Sequence, residues 1–376
     1  MPQLILEDSS GALAMLRESV SGFAERYPGA AAFRARRASG EDLSRPVWSA
    51  MAEAGWTGLM IPENLGGSGL GFAEQAVLSE ALGRSLICEP LVMNALFPAV
   101  LLRDAPASAE RGRLAAGIVS GATILASAWR APAPHVQASS LSAIESGGQF
   151  MLSGEAHFVE GARSATDFLV IAATAEGALA LSVPAGSQGL TIATRPGVDG
   201  APLATVSFRD TCVPADRLLA RAPSLDALLA APIRAARLAM AAELAGIACR
   251  VVETTIGYTK DRVQFGKPIA SFQAIQHRLV EMWSDAEFAC AAVANAVAVS
   301  ALDDPKAAEL AVLAAKARAG DAAFSICRRA VHLHGAMGIT DESDIGLFLK
   351  RAINLNAALG QPEALRLQFV ALERAA

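Results

Sequence analysis

The stretch Phe168–Ala185, FLVIAATAEGALALSVPA, decides the fold class: two short apolar runs, FLVIAAT and LALSVPA, lie on either side of a glycine-containing break. Runs of this length, rich in β-branched residues and bounded by Gly, Pro or Ser, read as strands. Working outward, ATVSFRD at Ala204–Asp210 has the same texture, and short runs of this kind fill Thr123–Leu219. On the N-terminal side the period changes. Leu13–Tyr27 (LAMLRESVSGFAERY), Val47–Trp56 (VWSAMAEAGW) and Phe72–Leu86 (FAEQAVLSEALGRSL) repeat apolar residues at threes and fours, the helical spacing. A glycine-rich loop, Pro62–Gly71, punctuates them. After Pro232 helical periodicity returns through about Ala330, breaks at the turn HGAMGIT (His334–Thr340) and resumes to the C-terminus. The expected organisation is mainly α with a central β domain: helices over 1–122, strands over 123–230 and helices over 231–376.

Bulk properties agree and exclude several functions. The 376 residues exceed the ~250–300 at which one core stops growing, so two or three packed subdomains are expected. Hydrophobic residues are 53% of the chain and aromatics only 5%, which suits close helix packing through small side chains. A net charge of -5 leaves no basic surface for nucleic acid, and no Lys/Arg block is present to hold an acidic membrane. Mean hydropathy is +0.36, yet each apolar stretch is broken before the roughly 18 residues a spanning helix needs. The beginning, MPQLILEDSS, carries acids where a signal peptide has bases, so a cytoplasmic location is expected. Cys88, Cys212, Cys249, Cys290 and Cys327 are dispersed with no CxxC pair, which points to buried free thiols and to no metal site.

Five segments resemble the acyl-CoA dehydrogenase family, in the family's own order: Ala52–Gly71, Ser79–Leu86 (SEALGRSL), Gly154–Thr174 (GEAHFVEGARSATDFLVIAAT), Arg262–Met282 (RVQFGKPIASFQAIQHRLVEM) and His332–Ala352 (HLHGAMGITDESDIGLFLKRA). The resemblance covers roughly residues 10–365. It implies an N-terminal helical domain, a central β-barrel or sandwich and a C-terminal four-helix bundle. It further implies bound FAD, an acyl-CoA substrate, an electron-transfer flavoprotein as acceptor, and a tetramer of like or unlike chains.

The resemblance assigns site residues. Arg262 matches an arginine that contacts FAD pyrophosphate across a subunit interface, and a guanidinium suits that role because it can donate two parallel hydrogen bonds. Gln264, Phe265 and Gln273 fall at positions lining the same cofactor. His332, Gly335 and Ala336 match a loop whose backbone approaches the adenine half, with His332 where the family often has Gln and Ala336 where a second Gly is usual. His334 reads equally as a packing histidine or a cofactor contact. Near the flavin ring the chain departs from the pattern. His157-Phe158-Val159 stands where Trp-Ile-Thr is usual, and Ala128–Pro132 replaces a Thr-Glu-Pro loop. Val159 and Gln361 complete the expected cofactor set, Arg237 and Gly360 the expected substrate set, and Trp129 is read as a core residue of the β domain.

The reaction implied is loss of an α-proton to a carboxylate and of a β-hydride to flavin, and such a weak carbon acid needs a positioned base. Counting from Arg351, the usual Glu-Gly-Thr becomes Leu359-Gly360-Gln361. The alternative family position holds Ala236. Glu243 lies two helical turns beyond Ala236 on the same face, a rise of about 10 Å, and is weighed as a catalytic acid or base against a buried partner of an arginine on an adjacent helix. Asp341, Glu342 and Asp344 read as helix caps. With both base positions empty, the resemblance points to the branch containing α2β2 enzymes for bulky or steroid-derived CoA thioesters, in which a homologous subunit supplies the base. A flavin monooxygenase on the same fold and a non-catalytic scaffold subunit stand as alternatives.

Overall fold

The structure is a computed structural model describing residues 1–133 and 135–375; Pro134 and Ala376 lie outside the described residues. The chain opens with helices α1 (Ala12–Arg26), α2 (Gly29–Ser39), α3 (Arg45–Glu53), α4 (Phe72–Arg84), α5 (Phe97–Asp104) and α6 (Ala109–Val119). Strands follow: β1 (Leu125–Ala128), β2 (Ser142–Ser146), β3 (Gln149–Glu160), β4 (Asp167–Thr174), β5 (Gly177–Pro184), β6 (Leu190–Pro196), β7 (Pro202–Pro214) and β8 (Leu218–Ala222). Helix α7 (Leu225–Asp261) leads into a small hairpin, β9 (Val263–Gln264) and β10 (Lys267–Pro268), and then α8 (Gln273–Ser300), α9 (Pro305–His334), α10 (Ile345–Ala357) and α11 (Pro362–Arg374) complete the chain. Among the described residues no helix is long and apolar enough to cross a membrane.

The chain forms two compact units, one of residues 36–71 and 89–236, the other of residues 1–35, 72–88 and 237–376. In the first, the eight strands join one sheet of order β6-β7-β3-β2-β4-β5-β8, with β1 pairing β4 in parallel. FLVIAAT is β4, and its Phe168 to Ala172 are at most 1% exposed, which explains a continuous apolar run in place of alternation. Alternation returns in β3 and β7, where Phe150, Leu152, Val206 and Phe208 enter one core with Leu179 and Leu181 of β5. Trp129 is 2% exposed and stacks on Phe97 of α5 at 5.8 Å, outside the cluster formed by these strand residues. Helix α6 is bound to the sheet by charge: Arg113 donates to Glu110 at 2.7 Å and to Asp167 at 2.8 Å, while Arg217 and Ser182 also donate to Glu110.

In the second unit the small residues expected from composition are placed where helices cross. A Cβ at Gly83 of α4 would lie 2.3 Å from the carbonyl oxygen of Glu243, and one at Gly246 of α7 would lie 2.0 Å from that of Glu80. The two glycines let α4 and α7 meet backbone to backbone. Helix α7 begins at Leu225, earlier than the sequence pattern indicates, with Pro232 inside it. Proline removes a single donor, and the Leu and Ala residues around it carry the helix through that gap.

Candidate functional site

The residues expected at the phosphate end of FAD are presented outward. Helix α7 ends at Asp261, the amide of Arg262 donates to the carbonyl of Tyr258 at 2.9 Å, and the chain turns into the β9–β10 hairpin. Arg262 and Gln264 are exposed, and the Arg262 guanidinium has no side-chain partner among the described residues. Phe265, at the tip, is 91% exposed at φ 53°, a left-handed conformation costly for a residue with a side chain. It meets Phe272 edge to face at 6.1 Å, and Lys267 lies 4.4 Å from the Phe272 ring. Gln273, also exposed, begins α8.

The second expected segment lies at the C-terminus of α9. His332, Gly335 and Ala336 are exposed. Gly335 has φ 61° and ψ -137° with open space where a Cβ would be, whereas a Cβ at Gly338 would lie 2.6 Å from the carbonyl oxygen of Val331. The turn Gly335–Ile339 is therefore folded tightly against α9 at its back and open at its front. His334 points inward, 6% exposed, stacked on Tyr258 with ring centroids 4.1 Å apart, and its buried Nε2 has no hydrogen-bond partner. Burial lowers its pKa below the ordinary histidine range. Beyond the turn, Asp344 stands at the start of α10 without a capping bond; it pairs with Arg34 at 2.8 Å, and the carbonyl of Asp341 accepts from the same guanidinium. The capping role expected for Asp344 is replaced by this ion pair.

The turn where the resemblance places the base is held in shape and has an apolar tip. Leu359 is 2% exposed at φ 52°, and Gly360 follows at φ 114°. Arg237 fixes this turn: its Nε donates to the Leu359 carbonyl at 2.9 Å, while its two terminal nitrogens donate to Glu309 at 2.9 Å and Gln368 at 3.0 Å. Burial draws the Arg237 pKa below its ordinary value against the opposing charge of Glu309. Arg237, 5% exposed and committed on three sides, supports Leu359 and Gly360. Gly360 is buried and Gln361 exposed. Ala236 is wholly buried. Glu243 is 5% exposed and accepts from Arg351 Nε at 2.7 Å, the buried pairing weighed against a catalytic role. Of the two readings weighed for Glu243, this geometry is that of the buried pairing with an arginine of another helix.

In the β domain, Val159 is 1% exposed and belongs to the core, so any contact from it to a ligand is through backbone. Phe158 is the outward residue: it is 43% exposed at φ 57°, within a register shift of β3 against β7, with Arg130 lying 4.7 Å from its ring. Sequence reasoning named Phe158 without giving it a role of its own, and missed Tyr258, Glu309 and Gln368. Tyr258 had a signal, standing four residues before Arg262 on one helical face; Glu309 and Gln368 had none, because their roles depend on contacts far apart in sequence.

An exposed guanidinium without a side-chain partner among the described residues and an open glycine turn are compatible with the phosphates and backbone-contacting part of a dinucleotide such as FAD. The profile of the acyl-CoA dehydrogenase N-terminal domain matches residues 11–107, and that of the C-terminal domain matches residues 227–371. The acyl-CoA dehydrogenase IpdE2 of Mycobacterium tuberculosis is 31% identical over 94% of both chains. A solved variant of the steroid ACAD Tcur3481-Tcur3483 is 26% identical with a TM-score of 0.87, covering 97% of this chain and 98% of that one. The ChsE4-ChsE5 complex of M. tuberculosis, 24% identical with a TM-score of 0.87 and 98% of each chain covered, shares the fold. The chain belongs to the acyl-CoA dehydrogenase family of FAD-binding oxidoreductases.

Proposed function

We propose that this chain is the base-lacking subunit of a heteromeric acyl-CoA dehydrogenase that desaturates a bulky, steroid-derived CoA thioester between its α and β carbons and delivers electrons to an electron-transfer flavoprotein. The observation that carries the reading is the Arg237-held turn ending in Leu359: no carboxylate stands there, none stands at Ala236, and Glu243 is engaged by Arg351. The two-chain designation of the steroid-acting solved relative supports an unlike partner.

When bound, FAD supplies the two-electron acceptor. In this reading Arg262 would hold the pyrophosphate through its guanidinium, Gln264 and Gln273 would offer amides to the same region, and the exposed Phe265 would cover apolar surface of the cofactor. Gly335 and Ala336 admit the adenine half to the backbone, with His332 and Gln361 as polar neighbours. Proton abstraction is left to the homologous partner's carboxylate, while Leu359 and Gly360 form an apolar wall near the thioester. The test is to purify the chain alone and after co-expression with a base-carrying homologue, then follow flavin reduction on anaerobic mixing with a steroid ring-fragment CoA thioester. Reduction by the co-expressed assembly and none by the single chain is expected; full turnover by the pure single chain overturns the proposal.

A further inference from the structure

The two segments assigned to the cofactor are joined by a residue that neither assignment includes. Tyr258 lies on α7 one helical turn before Arg262, and its carbonyl accepts the Arg262 amide at 2.9 Å. Its ring lies parallel to that of His334, 4.1 Å away with 13° between the planes. Its hydroxyl donates to the His334 carbonyl at 3.2 Å. That carbonyl belongs to the last turn of α9, where helix geometry leaves carbonyls without intrahelical donors. Tyr258 thus caps α9 at the point where the Gly335–Ile339 turn begins.

The hold on His334 is otherwise sparse. Its Nε2 is buried without a partner, so that nitrogen gives the imidazole no hydrogen bond to fix its angle; the Tyr258 face and the tight approach of Gly338 to Val331 and the His334 Cβ set it. At the far end of the turn, Arg34 holds the Asp341 carbonyl. The exit is fixed by charge and the entry by one stacked pair of rings.

We infer that Tyr258 and His334 act as positioning residues for FAD, their stack holding the Arg262 hairpin and the Gly335–Ile339 turn in one fixed relation so that both present to the cofactor at once. The inference rests on the proposed cofactor role of Arg262 and Gly335. A binding element that must be ordered before it can contact its ligand weakens when its support is removed, even where the contacting groups are intact.

The test uses the native assembly, stripped of flavin and titrated with FAD by fluorescence quenching, with thermal unfolding of the flavin-free protein measured in parallel. Tyr258→Leu is expected to weaken FAD binding about tenfold, the scale of a lost aromatic pair and hydrogen bond, and His334→Leu, which keeps the backbone acceptor, about fivefold. Tyr258→Phe and His334→Phe, which keep two stacked rings, are expected to retain most of the affinity. Amide exchange over residues 335–344 should quicken in the leucine variants and not in the phenylalanine ones. Arg262→Ala separates the two levels of inference. If it weakens binding while both leucine variants bind as wild type, the positioning role is refuted and the cofactor reading stands. If Arg262→Ala has no effect, the cofactor reading itself fails. Should a leucine variant not fold, equal affinity of wild type and His334→Gln, which removes the ring but keeps a polar side chain, overturns the role of the stack.

Discussion

Replacing Glu243 separates a structural ion pair from a catalytic base, because the two roles predict opposite profiles of stability and rate. The Glu243 and Arg351 side chains are 6% and 8% exposed and meet at 2.7 Å. Glu243→Leu removes the carboxylate that accepts from the buried Arg351 guanidinium, and breaking a buried pair from one side costs about 3–5 kcal/mol. Glu243→Gln keeps a carbonyl acceptor and loses the charge, so its cost is about 1–3 kcal/mol. Adding Arg351→Met to Glu243→Leu removes the other member of the buried pair and should return ~2 kcal/mol. These differences are read from urea unfolding followed by circular dichroism. Flavin reduction by substrate, measured by stopped flow on the folded native assembly, should fall less than about tenfold in Glu243→Gln, since removing a general base typically costs ~10²–10⁴. A Gln variant with wild-type stability and flavin reduction slowed about a thousandfold would refute the structural assignment and restore Glu243 as the base.

Two further outcomes follow from the packing. Burial alone would raise the Glu110 pKa, but hydrogen bonds from Arg113 and Ser182 and the charges of Arg113 and Arg217 outweigh it and bring it from 4.5 to about 2. A carboxyl depressed in the folded state stabilises above its unfolded pKa and loses that contribution as pH falls through the folded one. Glu110 therefore contributes about 3 kcal/mol near neutrality that disappears between pH 4.5 and about 2. Urea midpoints measured across this window should slope steeply in wild type and more gently in Glu110→Gln, which is weaker already at neutral pH. In α7, Gly246→Ala forces a methyl group against the Glu80 carbonyl and should destabilise by about 1–3 kcal/mol despite the better helix propensity of alanine. Gly257→Ala, in the same helix with open space around it, should stabilise by up to ~1 kcal/mol, and equal behaviour of the two in urea unfolding would contradict the crossing described for α4 and α7.

The architecture was legible where it depended on local period. The apolar run at 168–172 becomes a strand buried on both faces, and the threes-and-fours patterns before and after it become helices. The site was legible only as positions. Strand period alone does not reveal that the register shift in β3 turns Phe158 outward and leaves Val159 in the core, because a shift changes which face a residue occupies without changing its neighbours in sequence. The pairs that define the base region are farther still from sequence reach: Arg237 meets Leu359 across 122 residues and Glu243 meets Arg351 across 108. Periodicity places each of these on a helix or turn but not against its partner.

The turn at Leu359 shows why those partners matter to function. A missing glutamate at that position, taken from sequence, is compatible with a turn that has lost its shape along with its base. The three donors of Arg237, shared among the Leu359 carbonyl, Glu309 and Gln368, argue against such a loss. The left-handed backbone of Leu359 and Gly360 is kept in place, although leucine gains nothing from that conformation and is strained by it. The turn thus keeps a defined shape: a scaffold able to present a residue at a defined point presents leucine. Under the proposed function, a shaped turn with leucine at its tip and the neighbouring Glu309 carboxylate committed to Arg237 suits an active site whose base enters from another subunit, because the acyl chain must still be held while the proton leaves in the partner's direction.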